Sequence, residues 1–247
     1  MSQDRDLSAV ALSKIAEVGI AGQLDEVEDL NVEVNTDPLH ILQGQVESLS
    51  IEGTGLVMKE ELRVEKMELQ TGAIAVNPFK IPFGQLELTD STSATTRVVL
   101  TEEDINRAFR SDYIQKKLLD LPEISLEGKP IRLEHRQIEF RFLDGNKIFL
   151  AAEILWTETG EKRAIALTAI PRIGEDRQKI RLDDVEHGEE TELSPEITAE
   201  LLQQARHLLD LSNFELMEGM QLFLDEIRID RGTMTLVCDA RVQPISL

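Results

Sequence analysis

The sequence predicts an α+β protein in which a strongly coiled antiparallel β-sheet wraps around amphipathic helices. Three observations carry this. Stretches of period-two alternation bounded by turn residues make up most of the chain, with no strand–helix–strand alternation. Three segments with helical spacing punctuate them, so the order is helix, meander, helix, meander, helix, meander. Two of the strand patterns also change step midway. In LRVEKMELQTGAIAV (62–76), Leu62 and Val64 are followed by Met67 and Leu69, one position out of phase. In LFLDEIRIDRGTMTL (222–236), Leu222, Leu224, Ile227 and Ile229 repeat that pattern, with Gly232 where the first copy has Gly72.

Apolar residues spaced this way lie on two opposite sides of a helix, and on a flat strand they face opposite sides of a sheet. Either a β-bulge realigns the two halves, or the strand crosses from one packed layer to another; both require a bent sheet. The pair reads as two equivalent bulged hairpins, over 61–77 and 221–237, within a single domain spanning 1–247. Fainter copies occur at Leu133/His135/Ile138/Phe140 and Ile180/Leu182/Val185/His187, each requiring a histidine to point inward.

The elements follow in order. In the first helix Leu7, Val10, Ala11, Ile15, Val18 and Gly22 form one buried stripe. Leu30, Val32 and Val34 alternate, as do Leu49 with Ile51 and Leu86 with Leu88. A second helix starts at Thr101, a good N-cap, with Glu102, Glu103 and Asp104 at the positive end of its dipole. Ile105, Phe109, Ile114, Leu118 and Leu121 are its apolar side, and Pro122 stops it. A hairpin at FLDGNKI joins Ile138, Phe140 and Phe142 to Ile148, Leu150, Ala152, Ile154 and Trp156, with Asp144-Gly145-Asn146 as the turn. TETGEK and IGEDRQ make the next turns. In the third helix Ser194 caps, Pro195 takes the first position, and Ile197, Leu201, Ala205, Leu208 and Leu209 form the stripe.

Charge narrows the function. With 26 basic and 47 acidic residues the net charge is −21. Such a field repels phosphate, which excludes nucleic acid and leaves at most transient peripheral contact with an anionic membrane. The loose basic set Lys129, Arg132, Arg136 and Arg141 reads as strand residues on a solvated face. The single cysteine, Cys238, excludes an intrachain disulfide and reads as a buried thiol. MSQDRD lacks a basic secretory start, and no apolar run approaches the roughly 18 residues of a membrane span, so a cytoplasmic location is expected.

No chemistry emerges from the motifs. His40, His135, His187 and His207 are scattered without metal-ligand spacing, so no metal is expected. DDVEHGEETE (183–192) lacks the order of a calcium loop and reads as a solvated turn. EGTGLVM holds Gly53 and Gly55 but not the third glycine of a dinucleotide fingerprint. There is no phosphate-binding loop and no Gly-x-Ser-x-Gly elbow. With 47 acidic residues, any carboxylate pair chosen for acid–base work is arbitrary. Aromatic residues at 4% are too few for base stacking. The expectation is a protein with no catalytic residues and no cofactor.

The run ALSKIAEVGIAGQL through VNPF (11–79), with VEVNTDP, LQGQVESLSIEGTGLVM and LRVEKMELQTG inside it, resembles the LmeA-like family of bacterial proteins. VVLTEEDINRAFRSDYIQKKL and the closing IRIDRGTMTLVCDARV extend the resemblance over essentially the whole chain. The resemblance implies phospholipid binding, with a role in cell-envelope upkeep for secreted members. It also implies a fold similar to tubular lipid-binding (TULIP/BPI-like) modules, in which acyl chains lie between a coiled sheet and a long helix. It supplies no catalytic residues. The leading expectation is a non-enzymatic carrier or sensor of a lipid or acyl chain. Its apolar groove would be lined by Phe79, Ile81, Phe83, Ile105, Phe109, Phe140, Phe142 and Trp156. The alternative is a protein-interaction scaffold with a fully packed core and no ligand. The sequence points to no particular protein partner.

Overall fold

The computed structural model describes residues 2–58, 61–121, 124–126, 129–131, 133–157, 160–188, 191, 193–213, 219–230 and 232–244. Pro122, Arg132 and part of the acidic loop after Gly188 lie outside them. The chain divides into two compact units. Unit 1 comprises Met1–Val99, Glu215–Asp225 and Leu236–Leu247; unit 2 comprises Leu100–Phe214 and Glu226–Thr235. Antiparallel sheets with a few helices fill both, so the α+β class holds.

The chain opens with α1 (Ser2–Ala21), β1 (Asp29–Asn35), the short α2 (Pro38–Leu42), β2 (Gln45–Val46) and β3 (Ser48–Met58). It continues through β4 (Leu62–Thr71), β5 (Ile74–Ala75), a 3₁₀ turn at Ile81–Phe83, and β6 (Thr92–Thr101). Next come α3 (Glu102–Arg110), α4 (Asp112–Leu119), β7 (Ile124–Leu126), β8 (Lys129–Ile131), β9 (Leu133–Leu143) and β10 (Lys147–Trp156). After them stand β11 (Lys162–Ile173), β12 (Ile180–His187), α5 (Pro195–Leu208), β13 (Met220–Asp230) and β14 (Thr233–Val242). The strands order as β1-β3-β4-β6-β14-β13 in one sheet and β12-β11-β10-β9 in another. Both sheets are open, and β2–β5 and β7–β8 form separate pairs.

In unit 1, Leu12, Ala16 and Ile20 of α1 enter a core with Val32, Val34, Leu49, Ile51, Leu69 and Ala240. The Ser13 hydroxyl accepts the Val34 N–H at 2.9 Å, tying the helix to β1. This corrects the expected stripe: Val10 and Val18 are 64% and 62% exposed. From Ala9 to Ile20 the helix offers rival apolar stripes, so spacing does not choose a face; the Lys14–Glu17 ion pair marks the solvent side. Leu86 and Leu88 are buried here as expected. They make one isolated bridge, Val76 with Leu88, instead of a strand.

The step change in β4 is not a bulge. Its pairing with β3 keeps one register from Ser50↔Gln70 to Met58↔Leu62, without a shift at Glu65 and Lys66. What changes is the neighbour on the other side, because β6 pairs with β4 only from Lys66 onward. Met67 and Leu69 face the core of unit 1, and Leu62 and Val64, at opposite parity, face the other way. The two similar stretches also hold different places. β13 and β14 are sheet neighbours across a turn with Gly232 at φ +80°. By contrast β4 lies between β3 and β6, and β5 pairs with β2.

Bulges occur where the fainter copies stood. Pairing of β10 with β9 slips by one residue between Ala151↔Glu139 and Glu153↔Arg136. The extra residue falls at Gln137–Ile138, and Gln137 has φ +49°. Pairing of β11 with β12 slips likewise between Thr168↔Glu186 and Ile170↔Asp183, with Asp184 at φ +50°. The 144–146 turn has the expected positive φ at Gly145 and Asn146.

The second expected helix is two. Thr101 caps α3 in a reciprocal box with Asp104. At Ser111 the backbone turns extended and the hydroxyl accepts the Ile114 N–H at 3.2 Å, starting α4. A serine able to cap ends one helix and begins the next. α5 runs as expected from the Ser194 cap.

Candidate ligand-binding cleft

Unit 2 encloses an apolar cleft of about 80 Å³, neither sealed nor flat, between the β9–β12 sheet and its helices. Cross-strand register builds the floor: Leu150 stands opposite both Phe140 and Leu167, Ala152 opposite Ile165, and Ile154 opposite His135. The β9 bulge decides the rest. Without the extra residue, His135 and Ile138 would face opposite sides; with it, both line the cleft. On α5, Leu201, Leu202, Gln204, Ala205 and Leu208 share the facing side, and Phe109 and Leu118 close it from α3 and α4.

Side chains fix α3 to the edge of β9. The Asn106 amide donates to the Phe140 carbonyl at 2.8 Å and accepts the Phe140 N–H at 2.9 Å. The Glu102 carboxylate accepts the Phe142 N–H at 2.6 Å. These bonds satisfy a strand edge that would otherwise template further pairing, and they set Phe109 over the cleft.

Two lining residues are polar. Gln204 is buried. The Nδ1 of His135 is buried without a hydrogen-bond partner. Burial alone holds the His135 pKa below its ordinary value near 6.5, so the ring is neutral at neutral pH. A neutral imidazole in an apolar recess offers one donor and one acceptor and no charge. The arrangement favours an apolar ligand with a weakly polar end.

Of the eight residues expected to line one groove, five lie in unit 2 and three in unit 1. Ile105 and Phe109 sit half-buried on α3, and Phe140, Phe142 and Trp156 are core residues of unit 2. Of these, Phe109 reaches the cleft. The Phe140 and Phe142 rings pack edge to face at 5.0 Å between centroids. Phe79, Ile81 and Phe83 belong to unit 1. Ile81 packs on that core, whereas Phe79 and Phe83 are 82% and 79% exposed. His135, Ile138, Leu202 and Ala205 are lining residues that sequence reasoning did not assign, though inward placement of His135 was implicit in the step pattern.

Other motifs have structural explanations. Gly55 lies inside β3 at φ +58°, where a Cβ would meet the Glu28 side chain at 2.2 Å. Arg136 and Arg141 pair with Glu134 and Glu139 on exposed strand faces. Cys238 is buried. His40 is less isolated than its spacing implied: its Nδ1 lies 3.1 Å from Glu47 and 3.5 Å from Asp37. Asp37 uses a carboxylate oxygen to cap α2, accepting the Leu39 and His40 N–H groups. Among the described residues, no helix is long and apolar enough to cross a membrane.

The α+β fold of unit 2 thus holds a recess lined by aliphatic side chains around two uncharged polar groups. The chain belongs to the LmeA-like phospholipid-binding family, whose sequence profile matches residues 3–239 and so takes in residues of both units. No curated protein and no solved structure matches it.

Proposed function

We propose that the chain is a non-enzymatic lipid carrier or sensor that takes part of an acyl chain into the cleft of unit 2. The observation that carries this is the recess itself, apolar apart from His135 and Gln204, in a member of a phospholipid-binding family. A scaffold with a fully packed core has no reason to keep such a space, since an empty recess forfeits contacts that a larger side chain would make. The volume holds roughly six waters by the usual measure, so it suits a chain segment with the headgroup outside. Four to six buried methylenes would contribute about 3–5 kcal/mol before ordering costs.

The test uses the full chain purified without detergent. Solvent extraction and mass spectrometry should recover lipid, and a fluorescent fatty acyl probe should bind and be displaced by phospholipid. Trp156, the only tryptophan, shares β10 with the lining residue Ile154 and reports the event. Ala205→Phe, which fills the recess from α5, should weaken probe binding at least about tenfold, roughly 1.4 kcal/mol. A parent protein that carries no lipid and ignores the probe sinks the proposal.

A further inference from the structure

We infer that unit 1 carries a membrane-docking tip, two neighbouring turns that place Phe79, Phe83, Leu39 and Leu42 in the interfacial zone of a phospholipid bilayer. These are the four most exposed large apolar side chains among the described residues, at 82%, 79%, 69% and 76%. They come from segments far apart in sequence that the fold joins. β2 pairs with β5, and the Val76 N–H donates to the Gly44 carbonyl at 2.8 Å. Gly44 has φ +74°, and a Cβ there would lie 2.6 Å from the Val76 carbonyl and 3.3 Å from Pro78, so the two backbones touch.

The exposure does not come from loose chain. Asp37 caps the first turn, and the Asn77 side chain accepts the Phe79 N–H at 3.1 Å in the second. From the same turns, Ile41 and Ile81 pack against the core of unit 1, anchoring the backbone while their neighbours point out. A turn selected only for solubility carries polar residues at such positions.

Charge identifies the occupant. Residues 38–46 and 72–86 contain no aspartate or glutamate and one lysine, Lys80, in a chain with 47 acidic residues. Elsewhere the net charge of −21 opposes an anionic surface, and it opposes a second copy of the same chain equally. Here the surface is apolar with a rim of His40, Asn77, Lys80 and Gln85, and with Asp37 and Glu47 beside His40, the character of a segment seated between headgroups and acyl chains. A phospholipid-binding protein meets its ligand in a bilayer, so this inference rests on the lipid-binding reading above.

The test floats the full-length protein with vesicles of phosphatidylcholine alone and with phosphatidylglycerol added. The parent should float with the first. Added phosphatidylglycerol should weaken binding at low salt, and the loss should be recovered as salt screens the net charge. The Phe79→Ser/Phe83→Ser double variant should partition at least about tenfold less. Leu119→Ser, at a site 67% exposed in unit 2, should float like the parent. The double variant should keep its circular dichroism and its binding of the acyl probe in vesicle-free solution. Flotation equal to the parent, or a double variant that loses self-association while floating normally, overturns the tip. A parent that binds the probe but floats with neither vesicle overturns the tip and leaves the lipid reading standing. One that floats through these phenylalanines but never binds the probe does the reverse.

Discussion

In unit 1, β1, β3, β4 and β6 pair at constant register, and α1 lays Leu12, Ala16 and Ile20 into a core where each is at most 2% exposed. In unit 2 both outer strands of the β9–β12 sheet carry a bulge, three helices cover the inner face, and a recess remains. The same materials give a close-packed core beneath α1 in one place and a recess in the other. The difference lies in where the apolar surplus goes. Unit 1 packs Leu12, Ala16 and Ile20 away from solvent and holds its most exposed large side chains on the 38–46 and 72–86 turns. Unit 2 also exposes Leu119, but around its cleft the large side chains meet small residues such as Ala152 and Ala205 that do not fill the space between them.

If that contrast is right, truncation should cost more where packing is closed. Leu12→Ala removes a side chain 2% exposed and leaves a new cavity, for an expected loss of about 3 kcal/mol. Leu202→Ala, at a half-buried position facing space already empty, should cost about 1 kcal/mol. Denaturant unfolding followed by circular dichroism measures both, and equal costs would break the contrast.

Enlargement should give the opposite ranking at smaller scale. Ala16→Leu overpacks a site with no exposure and should destabilise by about 2 kcal/mol. Ala152→Leu extends into the cleft and should be nearly neutral or slightly stabilising while weakening acyl-probe binding. Thermal midpoints together with probe titrations separate the outcomes. A large loss of stability from Ala152→Leu would mean that the recess is not free space.

Legibility from sequence followed the range of the interaction. The Thr101–Asp104 box, the Ser194–Pro195 helix start and the Asp144-Gly145-Asn146 turn were readable because each is settled within a few residues. The face of α1 was not, because Val10, Leu12, Val18 and Ile20 offer rival stripes and only the sheet chooses between them. The step pattern proved ambiguous in an instructive way. At Leu133/His135/Ile138/Phe140 it marks a true bulge, whereas at Leu62/Val64/Met67/Leu69 the register is unbroken and the two halves face different sides. The cleft was least legible. The sequence offers large aromatic residues as its lining, yet bulky rings fill space; Phe140, Phe142 and Trp156 are core. A recess survives where aliphatic and small side chains meet, and no local pattern announces unfilled volume.

The smallest expected effect turns on the ionisable group that unit 2 keeps in its cleft. The other residues lining the recess do not ionise. Because desolvation lowers the folded pKa of His135 below its ordinary 6.5, the unfolded chain binds a proton in the interval where the folded chain does not. Stability from this group is therefore complete above about pH 6.5 and falls as pH drops toward the folded value. His135→Gln removes the titration and keeps a polar side chain. Unfolding midpoints measured on both sides of that interval should fall more steeply with acid for the parent than for the variant. Peptide-resolved hydrogen exchange should place the difference in unit 2 strands such as β9 and β10, with β3 unaffected. Parallel pH profiles for parent and variant would mean that the imidazole is hydrated in the folded protein, and the cleft would then be a wetter and poorer host for an acyl chain than its lining implies.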